Sequence, residues 1–483
     1  MFRQYWYLTS WLLSLGFIIC APFTGMLAGL PIAWDGITLY DWQRIEQLVI
    51  FSLVVSIGAG AVENGCWCLT KKLTISSLLI LLFGLFSILS NSLDWWNGIH
   101  EVCVISLLSM SVWTLRAAKG KIPELIEYWV LPLFTGVAGL YTALFFINNF
   151  DELFIPEFIG DPLRFIGFNN IRFFSDWQML LLPFTVAFAS TKDINGRIIK
   201  TCTWCLVIAF AMLFFFTGSR VVVWGQLGTH ALLFGVLGKR YLPMLRKHGL
   251  CWMGAGALFI VVTQLPPLLN GVKPASLAHL IRGGLSAREI IWEQALVAVI
   301  SHPLLGIGPG ALAQNWNPIA AAPHNSILMI VAEWGVIAAL LTVCTGLGWI
   351  GRALCQLSYE DRPSISTLAI WQALITLLLH SLVANVLVVP LSQSALVLAV
   401  SMLPVGDSTT HQSSSDSGRH LKALLLMGPA LLAIWIVTVD LPSLPARNQE
   451  QLLCRQPTQF FSPRFWQQGW WLMGCPGTHY RSE

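Results

Sequence analysis

Apolar residues run along this chain in blocks of about twenty, broken by short polar connections. About twenty apolar residues are what a helix needs to cross a hydrocarbon core. The pattern predicts spans at 8–30, 46–63, 73–91, 99–118, 128–149, 176–191, 198–217, 220–238, 249–269, 325–350, 368–389, 390–405 and 422–439, the sixth and twelfth being short. One segment breaks the rhythm. Between Asn270 and Ser326 the chain makes a long excursion that gathers Arg, Glu and His in a sequence otherwise poor in charge.

Composition agrees with lipid as the main solvent. Of 483 residues, 55% are hydrophobic and 11% charged, against about 25% charged in soluble domains. The 22 Trp suit a chain with many water–lipid boundaries. No basic run or soluble basic domain suggests nucleic acid, so none is expected as a partner. The first apolar block is longer than the core of a cleaved signal peptide and is read as a retained span.

Positive charge sets orientation. With the N-terminus in the cytoplasm, strict alternation puts 17 of the 28 Lys and Arg on the inner side, while the outer side holds 11, four of them in the C-terminal tail. The 270–325 loop and the tail from Asp440 then lie outside the cytoplasmic membrane. The expected organisation is N-terminal helices over 1–150, a catalytic membrane core over 151–405 with loop 270–325, a cytoplasmic linker over 406–421, and a last helix and periplasmic tail over 422–483. Of the 11 Cys, Cys454 and Cys475 fall in the oxidising outer compartment, where they either pair or stay free. Cys66-Trp67-Cys68 is read as packing. No internal repeat is visible, which weakens a transporter reading.

The remaining charges carry the candidate chemistry. Thr217-Gly218-Ser219-Arg220 joins two spans with almost no loop and puts Arg220 at the start of a helix. A guanidinium beside lipid is costly unless paired, and its planar fork suits phosphate. The alternatives are an anion site at a helix N-terminus and a snorkelling anchor; the Thr-Gly-Ser turn favours the anion. Ser286 and Glu289 form a capping box for a short helix ending at Ser301-His302-Pro303. Ile291, Ala295 and Val299 share one face, so this helix is expected to lie on the membrane surface. Arg288 falls in its first turn, where a cation opposes the dipole. It either meets an anion there or pairs with Glu289, Glu293 or Asp161. Arg282 could serve the same anion.

Gly306-Ile307-Gly308-Pro309-Gly310 permits close backbone approach to a ligand or makes a tight re-entry turn. His324 precedes Asn325, an N-cap candidate, and is either a proton acceptor or structural. Glu333 lies about 13 Å deeper along that helix and orients the site or locks helices together. The 150–178 loop adds Asp161, Arg164, Asn169, Asn170, Arg172, Asp176 and Gln178. Arg172 is a third phosphate candidate or a salt-bridged anchor. His380, Ser392 and Gln393 place further polar groups near the eleventh and twelfth spans. No HExxH, paired-Cys or DxD pattern suggests a metal. The donor is then expected to be a lipid that brings its own phosphates, held by Arg.

Gly218-Ser219-Arg220, Arg288 with Trp292, His302-Pro303-Leu304-Leu305-Gly306-Ile307-Gly308, and His324-Asn325 with Glu333 and Gly335 together resemble the bacterial O-antigen ligase superfamily. The stretch Asn169–Gln178, and His380-Ser381-Leu382 followed by Pro390-Leu391-Ser392-Gln393, resemble its type IV pilin O-oligosaccharyltransferase branch. The resemblance covers about residues 150 to 400. It implies an all-α polytopic membrane protein of about 12 to 13 transmembrane helices with one large periplasmic loop, GT-C-like in class. It implies a glycosyltransferase of the inner membrane that moves a glycan from undecaprenyl diphosphate to a periplasmic acceptor. Arg220 and Arg288 would hold the diphosphate and His324 would activate the acceptor hydroxyl. Arg172, Arg282, Glu333 and Asn325 are the expected substrate-binding residues. The partners are the lipid-linked donor, membrane lipids, and pilin or lipid A core as acceptor; no nucleotide or metal cofactor is implied. A lipid-linked glycan transporter is the alternative from another class, but charge gathered on one face favours an enzyme.

Overall fold

The computed structural model describes residues 2–27, 37–63, 79, 82–90, 95–119, 122, 125–150, 165–168, 170–191, 196–269, 271, 288–313, 322–403, 416–448 and 465–466. Among the described residues every regular element is helical and none is a strand. The helices are α1 (Phe2–Leu27), α2 (Leu39–Glu63), α3 (82–90), α4 (Trp95–Lys119), α5 (Leu131–Asn149, preceded by a π turn at Ile126–Val130), α6 (Ile171–Ala189) and α7 (Arg197–Thr217). They continue with α8 (Arg220–Leu237), α9 (Leu242–Leu269), α10 (Arg288–Ser301), α11 (Ser326–Tyr359), α12 (Ile365–Ser381), α13 (Pro390–Met402) and α14 (Asp416–Asp440). Nine described helices are long and apolar enough to cross a membrane, and α12 and α13 are shorter apolar helices. The protein is therefore a multi-pass, all-helical membrane protein. In lipid, a helix satisfies every backbone group within itself, which is why this composition yields helices alone.

Packing explains the short elements. α13 is buried along nearly its whole length and packs against α1, α2, α4, α6 and α12. A helix surrounded by protein need not match the bilayer with a lipid-facing apolar face. α14 packs on α2 and α4, while α7 packs on α6 and α9.

Several boundaries differ from the apolar pattern. α6 begins at Ile171, five residues ahead of the expected span at 176. Asn170 is its N-cap, with its side chain accepting the Arg172 N–H at 2.9 Å, and a cap outranks hydropathy in setting a helix start. α12 ends at Ser381 rather than 389, and the chain runs through Leu382–Val389 without helix before Pro390 opens α13. α14 starts at Asp416, inside the segment expected to be linker. The third expected span is helical over 82–90; the rest of it, apart from Leu79, lies outside the described residues.

α11 is broken at Gly335, whose φ of 82° and ψ of 167° are non-helical. The break frees the carbonyls of Ala332 and Glu333, which accept the N–H groups of Ile307 and Gly308 at 3.0 Å each. Val336 N–H donates to Pro303 at 2.8 Å. The turn after α10 is thus stitched to the broken turn of α11.

Candidate active site

Three arginines stand in the first turns of three helices. Arg172 is the second residue of α6, Arg220 opens α8, and Arg288 opens α10 as described. A cation at a helix N-terminus opposes the macrodipole and is destabilising unless an anion joins it. These three act on one another: burial first, then the charges of Arg172 and Arg220, lower the Arg288 pKa. None of the three is in an ion pair among the described residues. Arg288 Nη2 donates to the carbonyl of Val383 at 2.8 Å, not to Glu289 or Glu293. At α8, Gly218 takes φ 61° and Ser219 makes no side-chain cap, so the first-turn N–H groups have no capping side chain. The arrangement gathers cations in the first turns of three helices, a chemistry that suits a phosphate-bearing ligand.

His324 stands at the edge of the same field. Its imidazole is pushed down to about 3, by burial first and then by the charges of Arg172 and Arg288. It is therefore neutral at physiological pH and able to accept a proton. Its Nδ1 is buried without a hydrogen-bond partner. Its backbone has φ 53°, the one positive value at a non-glycine among the described residues. Asn385 Oδ1 accepts its N–H at 3.0 Å. Pro323, one residue earlier, accepts the Trp292 Nε1–H at 2.8 Å, which ties α10 to the His324 segment. Asn325 caps α11, its Oδ1 accepting Leu328 N–H at 2.9 Å.

α10 buries Ile291, Ala295 and Ala298, the two alanines packing with Ala332 of α11, while Ile290, Val297 and Ile300 remain exposed. The Ile291, Ala295 and Val299 face, expected to lie on the membrane surface, is turned toward protein instead: Ile291 and Ala295 are buried and Val299 is half-buried. Ser286, the expected capping partner, lies outside the described residues, as do Arg282, Asp161 and Arg164.

The glycine-rich turn approaches protein backbone. A methyl at Gly306 would sit 2.4 Å from the Glu333 carbonyl, and one at Gly335 would sit 2.1 Å from the Leu304 carbonyl oxygen. Of the two readings of this turn, re-entry against α11 is the one realised. Glu333 is fully buried, and its carboxylate accepts the N–H groups of Gly310 at 3.0 Å and Leu312 at 3.3 Å. It clamps the turn that it faces.

Beneath Arg172, Asp176 and His380 form a buried pair with 2.5 Å between Oδ1 and Nδ1, and Ser392 donates to the other Asp176 oxygen. Arg44, which sequence reasoning did not single out, is 2% exposed and donates to Val388 O at 2.6 Å, Gln393 Oε1 at 2.7 Å and Phe465 O at 3.0 Å. Its one sequence signal was a cation beside an apolar block. Asn385 gave none, because the apolar pattern ran straight across it.

Residues 205–343 match the family described as O-antigen ligase. The match includes Arg220, Arg288, His324, Asn325 and Glu333; Arg172 and the α12–α13 pair lie outside it. No curated protein and no solved structure matches the chain. The matched region supports the O-antigen ligase superfamily, and with it a membrane glycosyltransferase of the O-antigen ligase or polymerase type.

Proposed function

We propose that this protein is an inner-membrane oligosaccharyltransferase. It transfers a glycan from undecaprenyl diphosphate to a hydroxyl of a periplasmic acceptor, a Ser or Thr of a pilin. The observation that carries this reading is a cluster in which the charges of Arg172 and Arg220 bear on Arg288 and those of Arg172 and Arg288 bear on His324, with no ion pair to any of the three arginines among the described residues. Such a field calls for an anion, and the diphosphate of a lipid-linked glycan, the donor that the resemblance implies, would supply it.

In this mechanism the arginines and helix N-termini bind the diphosphate and stabilise the charge that grows on it as the sugar leaves. The acceptor oxygen attacks the anomeric carbon, the carbon–oxygen bond to the diphosphate breaks, and the hydroxyl proton passes to His324. Bound diphosphate offsets the two guanidinium charges that depress the imidazole, so the donor itself raises the basicity of His324. The Lys and Arg distribution supports a periplasmic site, because the helix ends bearing these residues fall on the poorly basic side.

A second acceptor has support of its own. The matched family is described by its ligase activity on O-antigen, which favours lipid A core. A deletion strain separates the two: loss of the glycan mass on pilin with normal lipopolysaccharide banding supports the pilin reading. Loss of banding with unchanged pilin replaces it. Arg288→Ala and His324→Ala, each inserted at wild-type level, are expected to abolish transfer; normal transfer in both discards the site.

A further inference from the structure

We propose that Asn385 is a positioning residue for His324, acting from the Leu382–Val389 connection, which also orients Arg288 and is anchored by buried Arg44. The inference rests on the glycosyltransferase reading for its kinetic arm only.

His324 holds a backbone conformation that residues with a Cβ rarely adopt. Such conformations persist only where the surroundings over-determine them. The contact that does so is specific: Asn385 Oδ1 accepts the His324 N–H at 3.0 Å. Asn385 is itself set in a tight turn, its carbonyl accepting Val388 N–H at 3.0 Å and Val389 N–H at 3.3 Å. Val388 packs with Ala322 and Met329, on either side of His324 in sequence.

The same connection reaches the arginine cluster and the bundle. Near its start, the Val383 carbonyl takes Arg288 Nη2 at 2.8 Å. Near its end, the Val388 carbonyl takes Arg44 Nη2 at 2.6 Å and Tyr40 OH at 3.1 Å. Gln393 Nε2 donates to the Leu387 carbonyl at 2.6 Å. A fully buried guanidinium is expensive in a membrane protein and marks a place where backbone carbonyls must be held. The connection therefore sets the distance between the base and one phosphate-binding cation, two groups lying far apart in sequence.

The test uses full-length purified protein in nanodiscs, comparing wild type with Asn385→Ala and Asn385→Asp. Hydrogen exchange is read over 322–329 and over α12, and kcat and KM are read with lipid-linked glycan. For Asn385→Ala, exchange is expected to rise over 322–329 while α12 stays protected, and kcat to fall on the order of ten- to a hundredfold with little change in KM. Asn385→Asp keeps an acceptor oxygen, so protection is expected to return. Its added negative charge is expected to move the acid limb of the rate profile to higher pH, a readout of its proximity to the His324 imidazole. Unchanged exchange, or unchanged kcat, in Asn385→Ala overturns the proposal. Should Asn385→Ala fail to fold, an unmoved acid limb in Asn385→Asp overturns it instead. Absence of transfer by the wild type overturns the enzyme reading, and the exchange arm still decides the positioning.

Discussion

Glu333 and Gly310 are joined by a 3.0 Å hydrogen bond from backbone N–H to carboxylate, 23 residues apart in sequence. A fully buried carboxylate is costly unless its oxygens are satisfied, and here two backbone N–H groups share the task. Glu333→Ala leaves those donors without the carboxylate and is expected to lower stability by about 1–3 kcal/mol. Glu333→Gln keeps one acceptor oxygen and should lie between. Thermal unfolding in detergent, with transfer assayed on the folded fraction, reads both. A Glu333→Gln protein of wild-type stability without activity would assign the carboxylate to substrate instead.

The two glycines at the α10–α11 stitch should be irreplaceable, unlike Gly218. Gly306→Ala and Gly335→Ala each drive a methyl into backbone at 2.4 and 2.1 Å. Both are expected to lose monodispersity in size-exclusion chromatography. Gly218 has φ 61° but nothing within 4 Å of an added Cβ, so Gly218→Ala should cost about 1 kcal/mol from backbone conformation alone.

The arginine cluster trades stability for function. Arg220→Gln removes a cation from a helix N-terminus where two neighbouring guanidiniums bear on the same site. In the absence of donor this is expected to leave stability unchanged or raise it by about 0.3–1 kcal/mol. Transfer should fall on the order of a hundred- to a thousandfold, the scale of losing one preorganised group that stabilises developing charge. A variant that is both less stable without donor and fully active would contradict this account.

The pH dependence follows from His324. Its pKa of about 3 lies below the ordinary 6.5. Between these values the unfolded chain binds a proton that the folded chain does not, so this residue destabilises the fold as pH drops through that window. Its effect is absent above the ordinary value. Arg172→Gln removes the second-largest cause of the depression and should narrow the window, seen as a smaller loss of thermal stability between neutral and acidic pH. Donor binding adds negative charge and raises the imidazole. The acid limb of kcat is therefore expected at higher pH than that of kcat/KM, since the first reports the bound and the second the free protein.

The candidate cations were legible because charge is rare in this chain and stands out at the ends of apolar blocks. Arg220, Arg288 and His324 were found that way, and the structure brings them into one electrostatic field with Arg172. Arg172 was visible as a residue but not as a first-turn cation, since its helix was drawn from 176; Asn170, a good cap three residues upstream of Phe173, carried the missing signal. Glu333 was correctly marked as a costly buried carboxylate, yet two of its partners are backbone N–H groups, which leave no trace in side-chain identity. Arg44 and Asn385 were passed over because their importance lies wholly in contacts with distant segments.

The chain by itself determined that it folds as helices in lipid, because runs of about twenty apolar residues leave no other way to satisfy the backbone. It also determined that Arg220 opens its helix, since the Thr217-Gly218-Ser219 turn acts within a few residues. Only the tertiary structure decided which helix starts meet, that the glycine turn closes on α11, and that Asn385 holds His324. Those pairings depend on which distant segments pack together, and they come from burial and hydrogen bonding across the whole bundle rather than from any local preference.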